Sequence, residues 1–281
     1  MIFKDKTVIV TGASAGVGAA AARKFAEAGA KLMLVARSKR NLEAVAEELR
    51  DKTRVEIFAM DVADPDACVN LFKKAEFEFG HVDILVNNAG IHERGPAESV
   101  SAEDLGRMID VNLKAPVVLS RIALPYLRDA GGGAIVNVGS LAGRSPVPNS
   151  AAYSAAKSGL RAFTYALSEE LQGSGIKIAV VSPGPIDTGF TMSYLDAVSN
   201  LTLSQPISTA DEVAQAILDL CGNKQCEKTM PAISGFLTTA NYLMPWLGRL
   251  IRRRITVRGC PMSRWPPRGI GRPKNSSKRL M

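Results

Sequence analysis

Three residues near the middle of this 281-residue chain have the types and spacing for proton chemistry: Ser140, Tyr153 and Lys157. Tyrosine and lysine stand four apart in Tyr153-Ser-Ala-Ala-Lys157, within a stretch from Ala151 to Gln172 that reads as helix. Residues so spaced share one helix face, a turn apart. An ammonium beside a phenol favours the phenolate and lowers a pKa that is about 10 in free tyrosine. A tyrosine tuned in this way becomes a proton donor or acceptor near neutrality. A serine hydroxyl brought to the same point can polarise a carbonyl. Because the Y-x-x-x-K spacing occurs by chance in many helices, its meaning depends on what the rest of the chain places around it.

The elements that must position these groups begin at the N-terminus. Lys6 to Val10 is a short β-branched run that reads as a buried strand. It leads into Thr11-Gly-Ala-Ser-Ala-Gly-Val-Gly18 and an alanine-rich helix to about Ala28. Strand, glycine turn and helix are the setting of a dinucleotide loop, in which glycines let backbone N–H groups approach a pyrophosphate. The spacing of Gly12, Gly16 and Gly18 is G-x-x-x-G-x-G, not the six-residue G-x-G-x-x-G. A second strand, Ala30 to Ala36, ends in Arg37-Ser38-Lys39-Arg40. No carboxylate is available there for a ribose 2′-hydroxyl, whereas the Arg37 guanidinium suits a 2′-phosphate, so NADP is favoured over NAD.

Asn41 to Asp51 reads as an amphipathic helix and Val55 to Met60 as a third strand, followed by Asp61 and Val62. The Asp61 carboxylate is placed either to bond an adenine amine or to cap the helix starting near Asp64-Pro65. A fourth strand, Val82 to Val86, closes in Asn87-Asn88-Ala89-Gly90, whose amides are suited to knitting strand ends together. Ala102 to Arg128 reads as mostly helix, softly interrupted by Pro116 and Pro125, with Asn112 inside it. The fifth strand, Ala134 to Val138, ends in Gly139-Ser140, at the carboxyl end where parallel sheets keep their catalytic groups. A sixth, Ile176 to Val181, runs into Ser182-Pro-Gly-Pro-Ile-Asp-Thr188, and Thr188 could bond a carboxamide or phosphate. Gly189 to Pro206 has the composition of a mobile lid over an apolar substrate, and Thr209-Ala-Asp-Glu212 is a capping box opening a helix to Cys221. Six strands alternating with helices predict an α/β fold: one doubly wound parallel sheet, Rossmann-like, with helices on both faces.

Composition narrows the alternatives. The formal charge of +8 is unevenly placed: twelve of the 35 basic residues and none of the 27 acidic ones lie in 228–281. Residues 1–227 are therefore mildly acidic, which argues against a specific nucleic-acid partner for the folded body. The four cysteines form no C-x-x-C pair, and two histidines leave little for a metal site, so neither a disulfide framework nor a metal is expected. With no signal-peptide pattern and no long apolar run, a cytoplasmic protein is expected.

Taken in order, these motifs resemble the short-chain dehydrogenase/reductases in their compact single-domain form. The resemblance covers roughly Lys6 to Pro231 and rests on Thr11-Gly-x-x-x-Gly-x-Gly18, Asp61, Asn87 to Gly90, Asn112, Ser140, Tyr153-x-x-x-Lys157 and Pro183-Gly184. It implies that Tyr153 exchanges a proton with the substrate oxygen while hydride moves to or from a nicotinamide. By the same resemblance Lys157 binds the ribose and depresses the tyrosine pKa, Ser140 holds the carbonyl, and Asn112 positions a water in a proton relay. Gly12, Ser14, Gly16, Val17, Gly18, Arg37, Asp61, Val62, Asn88, Ala89, Gly90, Tyr153, Lys157, Pro183, Gly184, Ile186 and Thr188 would line the cofactor. NADP-preferring relatives often carry a basic residue inside the glycine loop, where this chain has Ala15. The resemblance also implies a small carbonyl or alcohol substrate and a homodimer or homotetramer.

The C-terminus departs from the family pattern. Lys228 to Ile233 reads as a last strand, but no Asp-Gly-Gly-like end follows it. The expected organisation is a catalytic domain over 1–233, an apolar and basic helical extension over 234–254, and a basic tail over 255–281 without periodicity, expected to be disordered. The extension is suited to covering the substrate pocket, to packing on a subunit, or to weak contact with a membrane surface. The competing functions are an NADP-binding redox sensor or scaffold with little turnover, and a 3-oxoacyl-type reductase. A scaffold has no need for Ser140, Tyr153, Lys157 and Asn112 together.

Overall fold

Alternation along the strands sets up two hydrophobic layers. In the first strand, β1 (Thr7–Thr11), Val8 and Val10 face one side and Ile9 the other, as a period of two requires. The computed structural model describes residues 3–187 and 207–243. From β1 the chain runs through α1 (Gly16–Glu27), β2 (Lys31–Ala36), α2 (Lys39–Arg50), β3 (Val55–Ala59), α3 (Pro65–Phe79) and β4 (Ile84–Asn87). It continues with α4 (Ala102–Ile109), α5 (Ala115–Asp129), β5 (Gly133–Val138), α6 (Ala151–Glu170) and β6 (Ile176–Pro183). Short strands β7 (Ile186–Asp187) and β8 (Ser208–Thr209) pair with each other, followed by α7 (Ala210–Gly222), β9 (Glu227–Met230) and α8 (Ala232–Leu243).

Among the described residues seven strands form one parallel sheet in the order β3-β2-β1-β4-β5-β6-β9. The strand order reverses between β1 and β4, which places the ligand crevice of such a sheet over their carboxyl ends. One layer joins Val8, Val10, Leu32, Leu34 and Val136 to α1, α2 and α7. The other joins Ile9, Met33, Leu85, Ile135 and Ile178 to Leu71 and Phe72 of α3, Leu119 of α5 and Leu167 of α6. The buried run Ala19 to Ala22 presents only methyl groups, and α1 packs closely on α7.

The doubly wound α/β sheet expected from the sequence is present, with β9 as its seventh strand. Two details differ. The break in the long helical stretch falls at neither proline: a π-type turn over Asp110–Lys114 separates α4 from α5. Pro116 lies in the first turn of α5, where its missing N–H costs nothing, and Pro125 is accommodated inside the helix. The cap of α3 is Asp64, whose carboxylate accepts from the N–H groups of Asp66 at 3.0 Å and Ala67 at 3.2 Å, so Asp61 is left for another role. The capping box at Thr209 and Glu212 is formed, each side chain accepting from the other residue's backbone N–H.

Candidate active site

The loops that follow β1, β4, β5 and β6 meet over the carboxyl edge of the sheet. After β1 the chain turns through Gly12 at φ +67°, and a Cβ on Gly18 would lie 2.2 Å from the Gly12 carbonyl and 2.5 Å from the Asn88 amide nitrogen. The loop is thus pressed onto the start of its helix, with room for backbone alone. Asn88 secures it from beneath by donating to the Thr11 carbonyl at 2.9 Å and the Gly12 carbonyl at 3.3 Å. The Thr11 hydroxyl in turn accepts from the N–H groups of Asn88 and Ala89, at 2.9 and 3.0 Å. Ser14 is half-buried in the turn, Gly16 opens α1 and Val17 is buried against the core. No described side chain caps the first turn of α1, which leaves its backbone N–H groups to an anionic ligand.

Arg37 follows β2 in an exposed position, next to Ser38, whose hydroxyl caps α2 by accepting from the Asn41 N–H at 3.3 Å. Beyond β3, Asp61 accepts from the Ala63 N–H at 3.0 Å and pairs with the Arg107 guanidinium of α4, while Val62 is buried beside it. Burial raises the Asp61 pKa. The Ala63 N–H, Arg107 and the field of Arg37 outweigh that, and the carboxyl lies below its usual range.

At the other end of the crevice, Ser140 leaves β5 in extended conformation, and its hydroxyl accepts from the Ala142 N–H at 3.1 Å. The chain then lies directly on α6. A Cβ on Gly143 would come 2.6 Å from the Lys157 carbonyl, and the Ser158 hydroxyl donates to the Gly143 carbonyl at 3.0 Å. The Ser140 hydroxyl lies close enough to the Tyr153 phenol to lower its pKa. Lys157 is 5% exposed and donates to the Val138 carbonyl at 2.7 Å, and burial pushes its pKa down to about 8. Tyr153 keeps some solvent exposure yet lies deep among protein atoms. That desolvation raises its pKa, against the lowering effects of the Ser140 hydroxyl and the Arg94 charge. Burial prevails. The Lys157 ammonium, 5.8 Å from the centre of the Tyr153 ring, is not the group that offsets it.

Gly90 joins the two ends: a Cβ there would be 2.8 Å from the Asn112 carboxamide oxygen and 3.9 Å from the Lys157 Nζ. Asn112, buried in the π-type turn, spends its side chain on one neighbour. It accepts from the Ile91 N–H at 3.1 Å and donates to the Ile91 carbonyl at 2.7 Å. Its amide therefore holds the loop after β4. Pro183 is buried at the end of β6, the Gly184 N–H donates to the Met230 carbonyl at 2.7 Å, and Ile186 pairs with Ser208. Thr188, the loop over 189–206 and the segment from 244 onward lie outside the described residues.

Three residues at the site carried no signal of type and spacing in the sequence: His92, Arg94 and Arg107. His92 and Arg94 come two and four residues after Gly90, and only their distance past that strand end could have marked them. Below the site, Glu227 of β9 gathers α6, β6 and the loop after Ser140. It accepts from Arg161 Nε at 3.0 Å, the Tyr165 hydroxyl at 2.9 Å and the Ser182 hydroxyl at 2.7 Å, and it pairs with Arg144. Arg144 also reaches Thr238 Oγ1 of α8 at 3.3 Å, which ties that helix to the loop that follows Ser140.

A parallel sheet wound on both faces, with a glycine loop at its switch point, is a Rossmann-like fold built for a dinucleotide. The sequence profile of the family described as short chain dehydrogenase matches residues 6–198, and this chain belongs to that family of oxidoreductases. It is 42% identical over 187 residues to Sulfoacetaldehyde reductase 2 of Chromohalobacter salexigens, covering 66% of this chain and 74% of that one. The crystal structure of levodione reductase superposes with a TM-score of 0.73 at 29% identity, over 78% of this chain and 91% of that chain. A metagenomic short-chain oxidoreductase in complex with NADP superposes with a TM-score of 0.70 at 31% identity, over 82% and 98%. Among the described residues no helix is long and apolar enough to cross a membrane.

Proposed function

We propose that this protein reduces a small carbonyl compound with NADPH, and that Tyr153 is its proton donor. The observation that carries the reading is the Ser140 hydroxyl beside the Tyr153 phenol, one helix turn from a buried lysine, at the carboxyl end of β5. The residues present fit the dinucleotide. Gly12 and Gly18 leave no room for a Cβ, and the end of β2 carries Arg37 and no carboxylate. Gly16, Ser14 and the first turn of α1 would hold the pyrophosphate, Arg37 the 2′-phosphate, and Asp61 and Val62 the adenine. Asn88, Ala89, Gly90, Pro183, Gly184, Ile186 and Thr188 would flank the ribose and nicotinamide.

When bound, NADPH supplies hydride for the carbonyl carbon. Ser140 and Tyr153 would both bond the carbonyl oxygen and draw charge toward it. Because burial raises the Tyr153 pKa, the phenol stays protonated at neutral pH, which suits the direction in which it gives a proton away. Lys157 would bind the ribose hydroxyls, and the Ser140 hydroxyl and the Arg94 charge would favour the phenolate left behind. With the Asn112 amide committed to Ile91, a relay water at this residue would rest on its backbone carbonyl in the π-type turn. The 42% identical relative is named for reduction of an aldehyde, which supports a small carbonyl substrate. The same reading has the catalytic domain over 1–233, a homodimer or homotetramer, and a cytoplasmic location, with the segment over 234–254 near the substrate or a membrane surface.

The test is a panel of aldehydes and ketones followed by loss of nicotinamide absorbance, run with NADPH and with NADH. The expected result is alcohol formed in step with NADPH consumed, and a coenzyme preference that Arg37→Asp shifts toward NADH by about tenfold or more. Tight NADPH binding with no consumption across the panel would favour the scaffold reading instead.

A further inference from the structure

Tyr153 is the third residue of α6, and its own backbone leaves two side-chain torsions to be fixed from outside the helix. His92 supplies that constraint. Its ring lies flat over the Tyr153 ring, with centroids 3.9 Å apart and planes inclined by 10°. His92 is 6% exposed, and its Nε2 lies 2.9 Å from the Ser150 hydroxyl. Ser150 is the N-cap residue of α6, so the imidazole is fastened to the helix that carries the tyrosine. The segment bearing His92 is held at both ends. Asn112 grips Ile91 through its N–H and its carbonyl, and the Gly95 N–H donates to the Asn149 carbonyl at 3.0 Å.

We propose that His92 is a positioning residue for the catalytic phenol: its ring, locked by Ser150, fixes the plane in which Tyr153 presents its hydroxyl and shields that ring from water. The inference rests on the proposed role of Tyr153. Burial, with the charges of Arg94 and Lys157, pushes the His92 pKa down to about 3, so near neutrality the ring stacks as an uncharged imidazole. The groups that act on the phenol by charge or hydrogen bond are Arg94 and Ser140, and neither is removed when His92 is replaced. Loss of the ring therefore acts through geometry and hydration. Water admitted to the phenol relieves its desolvation and lowers its raised pKa. In the reductive direction, activity falls as the phenol ionises, so the alkaline limb of the profile moves to lower pH.

The experiment compares wild type, His92→Ala, His92→Phe and Tyr153→Phe, using NADPH and the fastest substrate of the carbonyl panel, across pH. His92→Ala is expected to lower kcat about tenfold, leave the KM for NADPH unchanged and shift the alkaline limb downward. His92→Phe, which keeps an aromatic ring, restores the limb and most of the rate. If the alanine variant does not fold, His92→Gln, which offers Ser150 a partner but no ring, carries the same expectation. Wild-type rate and limb in the ringless variant, with Tyr153→Phe inert, would overturn the role of His92 alone. Equal impairment of His92→Ala and His92→Phe with an unmoved limb would do the same, whereas wild-type turnover by Tyr153→Phe would overturn both readings together.

Discussion

At the scale of single residues, the site is built from groups whose burial costs stability. Lys157 is an ammonium held under the sheet edge, with the Val138 carbonyl within 2.7 Å. Its folded pKa of about 8 lies below the 10.5 of a free lysine. A lysine that binds its proton less tightly when folded contributes stability fully present above the unfolded pKa and lost as pH falls through the folded one. At pH 7 that stability is absent, and the charged group is a burden. Lys157→Met should therefore raise the unfolding free energy of the nucleotide-free protein at pH 7 by about 1–3 kcal/mol while removing activity. The gain should shrink as pH rises from 8 toward 10.5. Urea unfolding of both proteins at pH 7 and pH 10 tests this, and a variant less stable at pH 7 would show that the ammonium is well solvated where it lies. Residue placement was legible where partners are close in sequence, as with Tyr153 and Lys157 one turn apart in α6, although the expected lowering of the tyrosine pKa by that lysine is not found. It was not legible for His92, whose meaning comes from a ring sixty-one positions away. Nor could the sequence show that Asn112 commits its amide to Ile91, because that depends on where the loop after β4 passes.

At the scale of elements, two polar clusters hold the site together. Asn87 of β4 donates to the Asn137 side-chain oxygen at 2.9 Å, and Asn137 donates to Thr164 of α6 at 2.8 Å, fastening α6 to the two strands beneath it. Glu227, with a side chain 5% exposed, does the same for β9, β6, α6 and the loop after Ser140, whose Arg144 reaches on to α8. Burial raises the Glu227 pKa, but hydrogen bonds from Arg161, Ser182 and Arg144 hold it below the usual carboxylate range. A carboxyl depressed in the folded state contributes stability present above its unfolded pKa and lost as pH falls through its folded value. Glu227→Gln should cost about 3 kcal/mol at pH 7, because two guanidiniums lose their anion, and the difference from wild type should narrow in acid. Chemical denaturation at pH 7 and below pH 4 checks both parts, and a near-neutral substitution at pH 7 would contradict the assigned balance. The strands, the glycine turn and the capping box were legible because each is a local pattern of apolar period or turn chemistry. The π-type turn was not. Prolines 116 and 125 marked the stretch, yet the irregularity arises at 110–114, where Asn112 must turn toward Ile91.

At the scale of the whole molecule, the sheet keeps two groups of candidate site residues apart. The glycine loop, Arg37 and Asp61 gather over β1, β2 and β3, while Ser140, Tyr153 and Lys157 gather over β5 and α6. Asn88 and Gly90 at the end of β4 lie between them. Binding and chemistry should therefore be separable by a single atom. The most direct measurement is Tyr153→Phe, which removes only the phenolic oxygen, with NADPH affinity and steady-state carbonyl reduction determined on the same preparation. The account predicts affinity within about threefold of wild type and turnover reduced by about a thousandfold or more. Turnover near the wild-type rate, with NADPH still bound, would contradict it.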